Sequence, residues 1–341
     1  MPPLIRHSFP SDRDHITTLL KQTHGIPGTN VALHPEFQNW KYWGPHPWFA
    51  ESRSRLLEDP RAILAHVCIW PIRLQTLDGS FSAFHPIDWG ARRDFPGGGL
   101  QVLRSCYIGN DVALCVGGSE MTRKILPAVG FKPQNTVTFL ERPLHPLQPA
   151  WAESPRDWKL PARIARNIAW HYARRFTLPR NWTLAPRHPR QISSSLWPQA
   201  SISAKQAVSF RSAQLLEHIA ACPEISKTAF FVLLRGQTEV AYFFLAQVRN
   251  QVRLADYGPV GLGDEESHVL GIAAQTAARS SFPDAVSLLA VTSEEQVRAA
   301  WVRAGLRTRA EEPIKALKMN KQLNSVTHFR LTLLDWDSLC L

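Results

Sequence analysis

Between Trp151 and Ala200 the chain carries nine lysines and arginines against only Glu153 and Asp157. Prolines bracket the same stretch, Pro143, Pro146, Pro149 and Pro155 around its start and Pro179, Pro186, Pro189 and Pro198 towards its end. Prolines around a charged run mark a connector rather than a packed core. That feature cuts the 341-residue chain into two pieces of ordinary domain size. The expected division is a unit at 1–145, a Pro/Arg-rich linker with a basic helix at 146–200, and a second unit at 201–341.

Composition narrows the class. An apolar share of 44% excludes a disordered chain, and a transmembrane helix would need a run of about 18 apolar residues that the sequence lacks. The start, Met1-Pro2-Pro3-Leu4-Ile5-Arg6-His7, has no apolar stretch of the secretory kind. The five cysteines are scattered and form no CxxC pair, so they read as buried thiols in a reducing compartment. The cytoplasm is the expected location.

Periodicity and punctuation order the elements. In the first piece residues 4–7 read as a strand and 11–23 as a helix capped by Ser11. Pro35 opens a helix over 35–43, and 52–57 and 62–74 are strand-like. Asp78-Gly79 signals a hairpin into 81–89. The turn Pro96-Gly97-Gly98-Gly99 leads into a short helix, followed by a strand at 112–116, a helix at 121–129 and a strand at 136–140. The second piece repeats the back of that order. It has a helix at 212–221, strands at 228–234, 239–248 and 252–257, a helix at 264–280, a strand at 285–291 and a helix at 293–304. Strands near 314–318 and 328–334 close it. The expected class is α/β (α+β), duplicated in topology, each unit keeping its own mostly antiparallel mixed sheet flanked by helices.

A strand that enters a glycine-rich turn and then a helix leaves backbone N–H groups at the helix N-terminus, where the dipole favours an anion. Without a Cβ, Gly97, Gly98 and Gly99 would let that backbone approach a phosphate; a plain chain-turning loop is the alternative. Asp88 stands mid-strand, an unusual place for a carboxylate, and reads either as a general base or as a paired structural group. His85 and His66 are weaker candidates of the same kind. The cluster Trp40, Tyr42, Trp43, Trp48 and Phe49, with His34 and His46, reads as core packing or as the wall of an acceptor pocket.

The runs His85-Pro86-Ile87-Asp88-Trp89, Pro96-Gly97-Gly98-Gly99-Leu100, Val116-Gly117-Gly118-Ser119 and Val129-Gly130-Phe131 resemble the acetyl-CoA-binding core of GNAT acyltransferases. The run Ser293-Glu294-Glu295, with Ala300-Trp301 and Gly305-Leu306-Arg307, is similar to the matching helix of a second such unit. The resemblance covers 4–141 and 203–341. It implies an N- or O-acyltransferase using acetyl-CoA or another acyl-CoA as co-substrate, with no metal. A small-molecule amine or hydroxyl acceptor would attack the thioester directly. By the same resemblance Ile87 and Trp89 flank the pantetheine arm with their main chain, Gly97, Gly98, Gly99 and Leu100 cradle the pyrophosphate, and Ser119 stands where Asn is common. Asp88, with His85 behind it, would be the base.

Departures are visible too. Asp94 takes a position usually held by Gln or Arg, and Leu126 that of a proton-donating tyrosine. In the second unit Gly258-Pro259-Val260-Gly261-Leu262-Gly263 runs into Asp264-Glu265-Glu266, which would repel a pyrophosphate, and Trp301 takes the tyrosine position. The second unit is therefore expected to be a degenerate copy. Two rivals stand beside this reading: a FemAB-like transferase using aminoacyl-tRNA, which the net charge of +11 suits, and a non-catalytic binding protein of the same fold. The segment 156–176 reads as a basic helix, either an interdomain strut or a peripheral contact with an anionic membrane. No specific nucleic-acid partner is expected.

Overall fold

The computed structural model describes residues 2–145, 160–173 and 177–340. The first half opens with β1 (Leu4–His7), α1 (Arg13–His24) and α2 (Pro35–Gln38), which continues as a π-helical turn over Asn39–Trp43. Then come β2 (Ser54–Glu58), β3 (Ile63–Thr76), β4 (Gly79–Ala91), α3 (Gly98–Ser105), β5 (Val112–Val116), α4 (Glu120–Ala128) and β6 (Lys132–Pro143). The middle supplies α5 (Leu160–Ala173) and β7 (Trp182–Pro186). The second half has β8 (Gln206–Ser209), α6 (Ala213–Ala220), β9 (Ile225–Arg235), β10 (Thr238–Val248) and β11 (Gln251–Gly258). It ends with α7 (Asp264–Ser281), β12 (Ser287–Thr292), α8 (Glu295–Arg303), β13 (Arg307–Lys318) and β14 (His328–Arg330). Of the basic segment 156–176 only α5 lies within the described residues.

Apart from β7 and β8 the element order is the expected one, but the two sheets are not separate. The described strands form one curled, fourteen-stranded sheet in which β5 is followed by β13, β6 and β12. The halves have exchanged their last strands. β13 pairs with β5 through Ile314 opposite Val116, β6 pairs with β12 through Leu140 opposite Ala290, and β6 and β13 pair with each other. The alternation in β13 permits this: Ile314 and Ala316 are buried, while its first residues face solvent. Pro313 falls where the β6–β13 register shifts, so its missing N–H breaks no regular ladder.

Two other segments cross over. β8 pairs with the far end of β3, Leu74 opposite Ser209, and carries β14 with it. Part of the stretch read as linker instead closes the second half, because β7 pairs with β9 and Trp182 and Trp197 are buried. Three apolar cores result. One lies under α3 and α4, one under α7 and α8, and the largest fills the concave centre, where residues 331–340 pack between the halves.

Candidate active site

The site starts from a bulge. β3 and β4 change register between His66 and Cys68, and the extra residue is absorbed at Asp88, whose φ of +47° lies in the left-handed region. His66 locks this kink, its Nδ1 lying 2.8 Å from the Asp88 carbonyl oxygen and its Nε2 2.8 Å from Ser54 Oγ. Burial pushes this histidine down to about 4, so at neutral pH Nδ1–H donates to that carbonyl. On its other edge β4 pairs with β5 only at Ala83 and Phe84, opposite Val112 and Ala113. Past that point the strands part, and the main chain of 85–91 has no strand partner on the β5 side among the described residues.

A cleft of about 410 Å³ opens where they part, and Trp89, Gly97, Gly99, Leu100 and Ser119 all line it. Of the other residues implied as CoA contacts, Ile87 turns its side chain into the central core and Gly98 is buried beneath the loop. Gly97, with φ +87°, caps α3, and of the first amides Gly98 donates to Phe95 O while Leu100 donates to Gly97 O. Among the described residues the Gly99 amide has no backbone acceptor, as the first-turn donors of a helix usually lack one. A Cβ on Gly99 would sit 3.2 Å from Trp89 Nε1, which itself donates to Gly99 O at 2.7 Å. Asp94 is bound by Arg92 at 2.9 and 2.7 Å, so its charge is offset, and Arg93 lines the same cleft. Leu126 is fully buried in the core under α4, so that position offers no proton donor.

On the other face of β4, Asp88 is half of a buried ion pair. Its Oδ2 accepts from Tyr42 Oη at 2.6 Å and lies 2.6 Å from Lys41 Nζ. Burial alone would raise this carboxyl, but the Lys41 ammonium outweighs that and holds it below the ordinary range. Asp88 is therefore held as the anionic member of a buried cluster with Lys41 and Tyr42. His85 is also buried. Burial lowers it to about 4, and its ring lies 6.3 Å from that of Trp336.

A second carboxylate, Asp337, approaches the same ammonium at 4.0 Å. Burial, and then the neighbouring Asp88 charge, raise it to about 6. No sequence signal marked it, because it reaches the site from the far end of the chain. Above Lys41 a small recess is lined by Trp40, His46, Trp70 and His218, the last from α6 of the other half. Burial keeps both histidines neutral, His46 at about 2 and His218 at about 4.

The second half carries a copy of this arrangement. Asp256-Tyr257-Gly258 in β11 occupies the place of Asp88-Trp89-Gly90 in β4, a short repeat hidden by the divergence around it. Tyr242, opposite Gly258 as His66 is opposite Gly90, donates to Asp256, and Arg211 Nε lies 3.0 Å from the same carboxylate. Here the gap is plugged. β11 and β12 part after Leu254 and Ala290, and Arg330 lies over the Tyr257 ring at 4.3 Å with its Nε 3.3 Å from Glu294. Glu294 also accepts from Tyr257 Oη at 2.9 Å and from the Gly261 amide at 3.4 Å. The loop's own carboxylates are spoken for as well, Asp264 by Arg303 and Glu265 and Glu266 by Arg235.

This geometry, a split sheet with a bulge and a glycine-capped helix at the split, defines a GNAT-type fold in tandem. Solved structures agree. A GCN5-related N-acetyltransferase from Anabaena variabilis matches 93% of this chain and 73% of its own, with TM-score 0.58 and 8% identity. The Saccharomyces cerevisiae N-myristoyltransferase, solved with myristoyl-CoA and inhibitors, matches over 92% and 80%, with TM-score 0.56 and 11% identity. A tandem GNAT protein from the clavulanic acid biosynthesis pathway matches over 93% and 99%, with TM-score 0.53 and 8% identity. At such identities the likeness is one of fold. No protein-family model and no curated protein sequence matches the chain.

Proposed function

We propose that the protein is an acyl-CoA-dependent acyltransferase whose first half holds the acyl-CoA and whose second half is a sealed copy that shapes the acceptor side. The observation that carries this reading is the contrast between the two glycine loops. In the first, the Gly99 amide is unclaimed and faces a cleft; in the second, Glu294 and Arg330 fill the equivalent space.

An acyl-CoA supplies an activated thioester. The chain's own part is to hold and orient it. Gly97, Gly99, Leu100 and Ser119 would face the pyrophosphate, where the α3 dipole and Arg93 favour negative charge. The free main-chain edge of Ile87 and Trp89 would bond the pantetheine amides, leaving the thioester near the Asp88 bulge. The acceptor, an amine or hydroxyl compound, would approach from the Lys41 face. Placing the two reactants on opposite sides of one split makes proximity the main source of rate.

Isothermal titration with acetyl-CoA and with a long-chain acyl-CoA tests this. Binding by the wild type, and its loss in Gly99→Val with the fold intact by circular dichroism, is the expected result. Binding that survives Gly99→Val but fails in a variant of the second loop would assign the halves the other way round.

A further inference from the structure

We propose that Cys222 and Cys340 are an oxidisable thiol pair whose disulfide latches the segment 331–340 to the second half. The proposal stands on the placement of the two sulfurs and does not depend on the acyl-CoA reading.

All five cysteines are buried free thiols. Cys222 Sγ lies 3.2 Å from Cys340 Sγ, and no other two sulfurs in the chain come within hydrogen-bonding distance. Cys68 and Cys106 turn instead to main-chain carbonyls, Ile69 O at 3.5 Å and Val102 O at 3.7 Å. The paired residues stand 118 positions apart, so the fold and not the sequence brings them together. A disulfide holds its sulfurs about 2.05 Å apart, and small rotations of both side chains supply an approach of roughly 1 Å.

The pair sits where a tie has consequences. Cys222 follows α6, the helix that brings His218 to the recess above Lys41. Cys340 caps the turn Asp337–Leu339 in the segment that fills the space between the halves. That segment backs the same recess, since Trp70, one of its walls, donates from Nε1 to Leu334 O at 3.1 Å. Its other holds are polar: Asp335 accepts from Arg211 at 2.9 Å, and Ser338 O accepts from Arg253. Contacts of this kind allow local opening, and a covalent bond at Cys340 removes most of that freedom.

With a peroxide as oxidant the step balances. One thiol, ionised as the segment opens, attacks a peroxide oxygen; the O–O bond breaks, giving a sulfenic acid and a hydroxide that takes up the thiol's proton. The second sulfur then attacks the sulfenic sulfur, the S–S bond forms and water leaves. Two thiols are oxidised by two electrons and one peroxide becomes two waters. Burial, and then the Cys222 thiol, raise Cys340 well above its ordinary value, so the closed pair stays protonated and oxidation waits on opening.

The test uses the full chain, reduced, freed of reductant and exposed to a few equivalents of hydrogen peroxide. Free thiols counted after unfolding should fall from five to three, because one disulfide consumes two. Mass spectrometry of unreduced peptides should find Cys222 joined to Cys340. The melting temperature should rise by roughly 5–10 °C, as expected for closing a long loop, and dithiothreitol should reverse it. Hydrogen exchange across 331–340 should slow in the oxidised form. Cys222→Ala and Cys340→Ala should each lose the rise, whereas Cys106→Ala should keep it. Five thiols surviving an exposure that fully oxidises glutathione overturn the proposal, as does thiol loss that dithiothreitol cannot reverse. A disulfide between any other two cysteines overturns it too. So does a Cys222–Cys340 bond that leaves melting and exchange unchanged, since the segment would then not be latched.

Discussion

Asp88 and Asp337 share one ammonium and respond to pH in opposite senses. Lys41 and Tyr42 hold Asp88 below the ordinary 3.8, so its contribution to stability is full above that value and is lost as pH falls through the folded one. Asp337 is raised from 3.8 to about 6, so the folded state keeps a proton that the unfolded chain has released. Its contribution is present below 3.8 and disappears as pH climbs to about 6. Lys41→Met should leave two carboxylates buried without their cation and cost about 3–5 kcal/mol, measured by denaturant unfolding at pH 7. Asp88→Leu combined with Lys41→Met should recover much of that loss, since a buried pair replaced by apolar groups is often neutral. If Lys41→Met alone proves harmless, the ammonium does not hold the cluster together.

At the scale of elements, the two glycine loops should respond differently to the same change. Gly99→Val places a branched side chain against Trp89 Nε1, 3.2 Å from its Cβ, and covers the unclaimed amide. Loss of a charge-assisted hydrogen bond predicts a drop in CoA affinity of about 10- to 100-fold, read by titration calorimetry. Gly98 is a poorer choice for the test, because its Cβ would fall 2.6 Å from the Phe95 ring and disturb packing. Gly263→Val in the second loop meets only the flexible end of Glu266 and should leave CoA affinity unchanged. A matching loss at Gly263 would mean that the second loop also binds the nucleotide.

For the whole molecule the exchange of β6 and β13 decides how it unfolds. Each half's sheet is completed by the other half's last strand, and residues 331–340 fill the core between them. Scanning calorimetry should therefore show one cooperative transition with calorimetric and van't Hoff enthalpies in agreement, where two independent domains would show two. The halves 1–145 and 177–341 expressed apart should lack stable tertiary structure, because β5 and β12 would each present an unpaired edge. Co-expression should restore a soluble complex. Two well-separated transitions in the intact chain would contradict the structural coupling.

Local chemistry was readable in the residues. The strand and helix order, the hairpin at Asp78-Gly79 and the glycine-capped start of α3 each follow from patterns a few residues long, and all three appear in the fold. The run of carboxylates at the head of α7 was legible in the sequence, and the structure adds that arginines bind them. Tertiary structure alone decided the rest. An apolar alternation such as that of β13 states that a strand has a buried face, but not which strand lies beside it, so the exchange between halves could not be read. The pairing of Asp88 with Lys41 depends on a β-bulge that re-aims one side chain, and bulges leave little mark in a sequence. Asp337 reaches Lys41 from the opposite end of the chain, and only burial in the central core and the charge of Asp88 raise this ordinary aspartate to about 6. Short-range pattern fixes elements; desolvation and charge pairing, which set reactivity, belong to the contacts the folded chain makes.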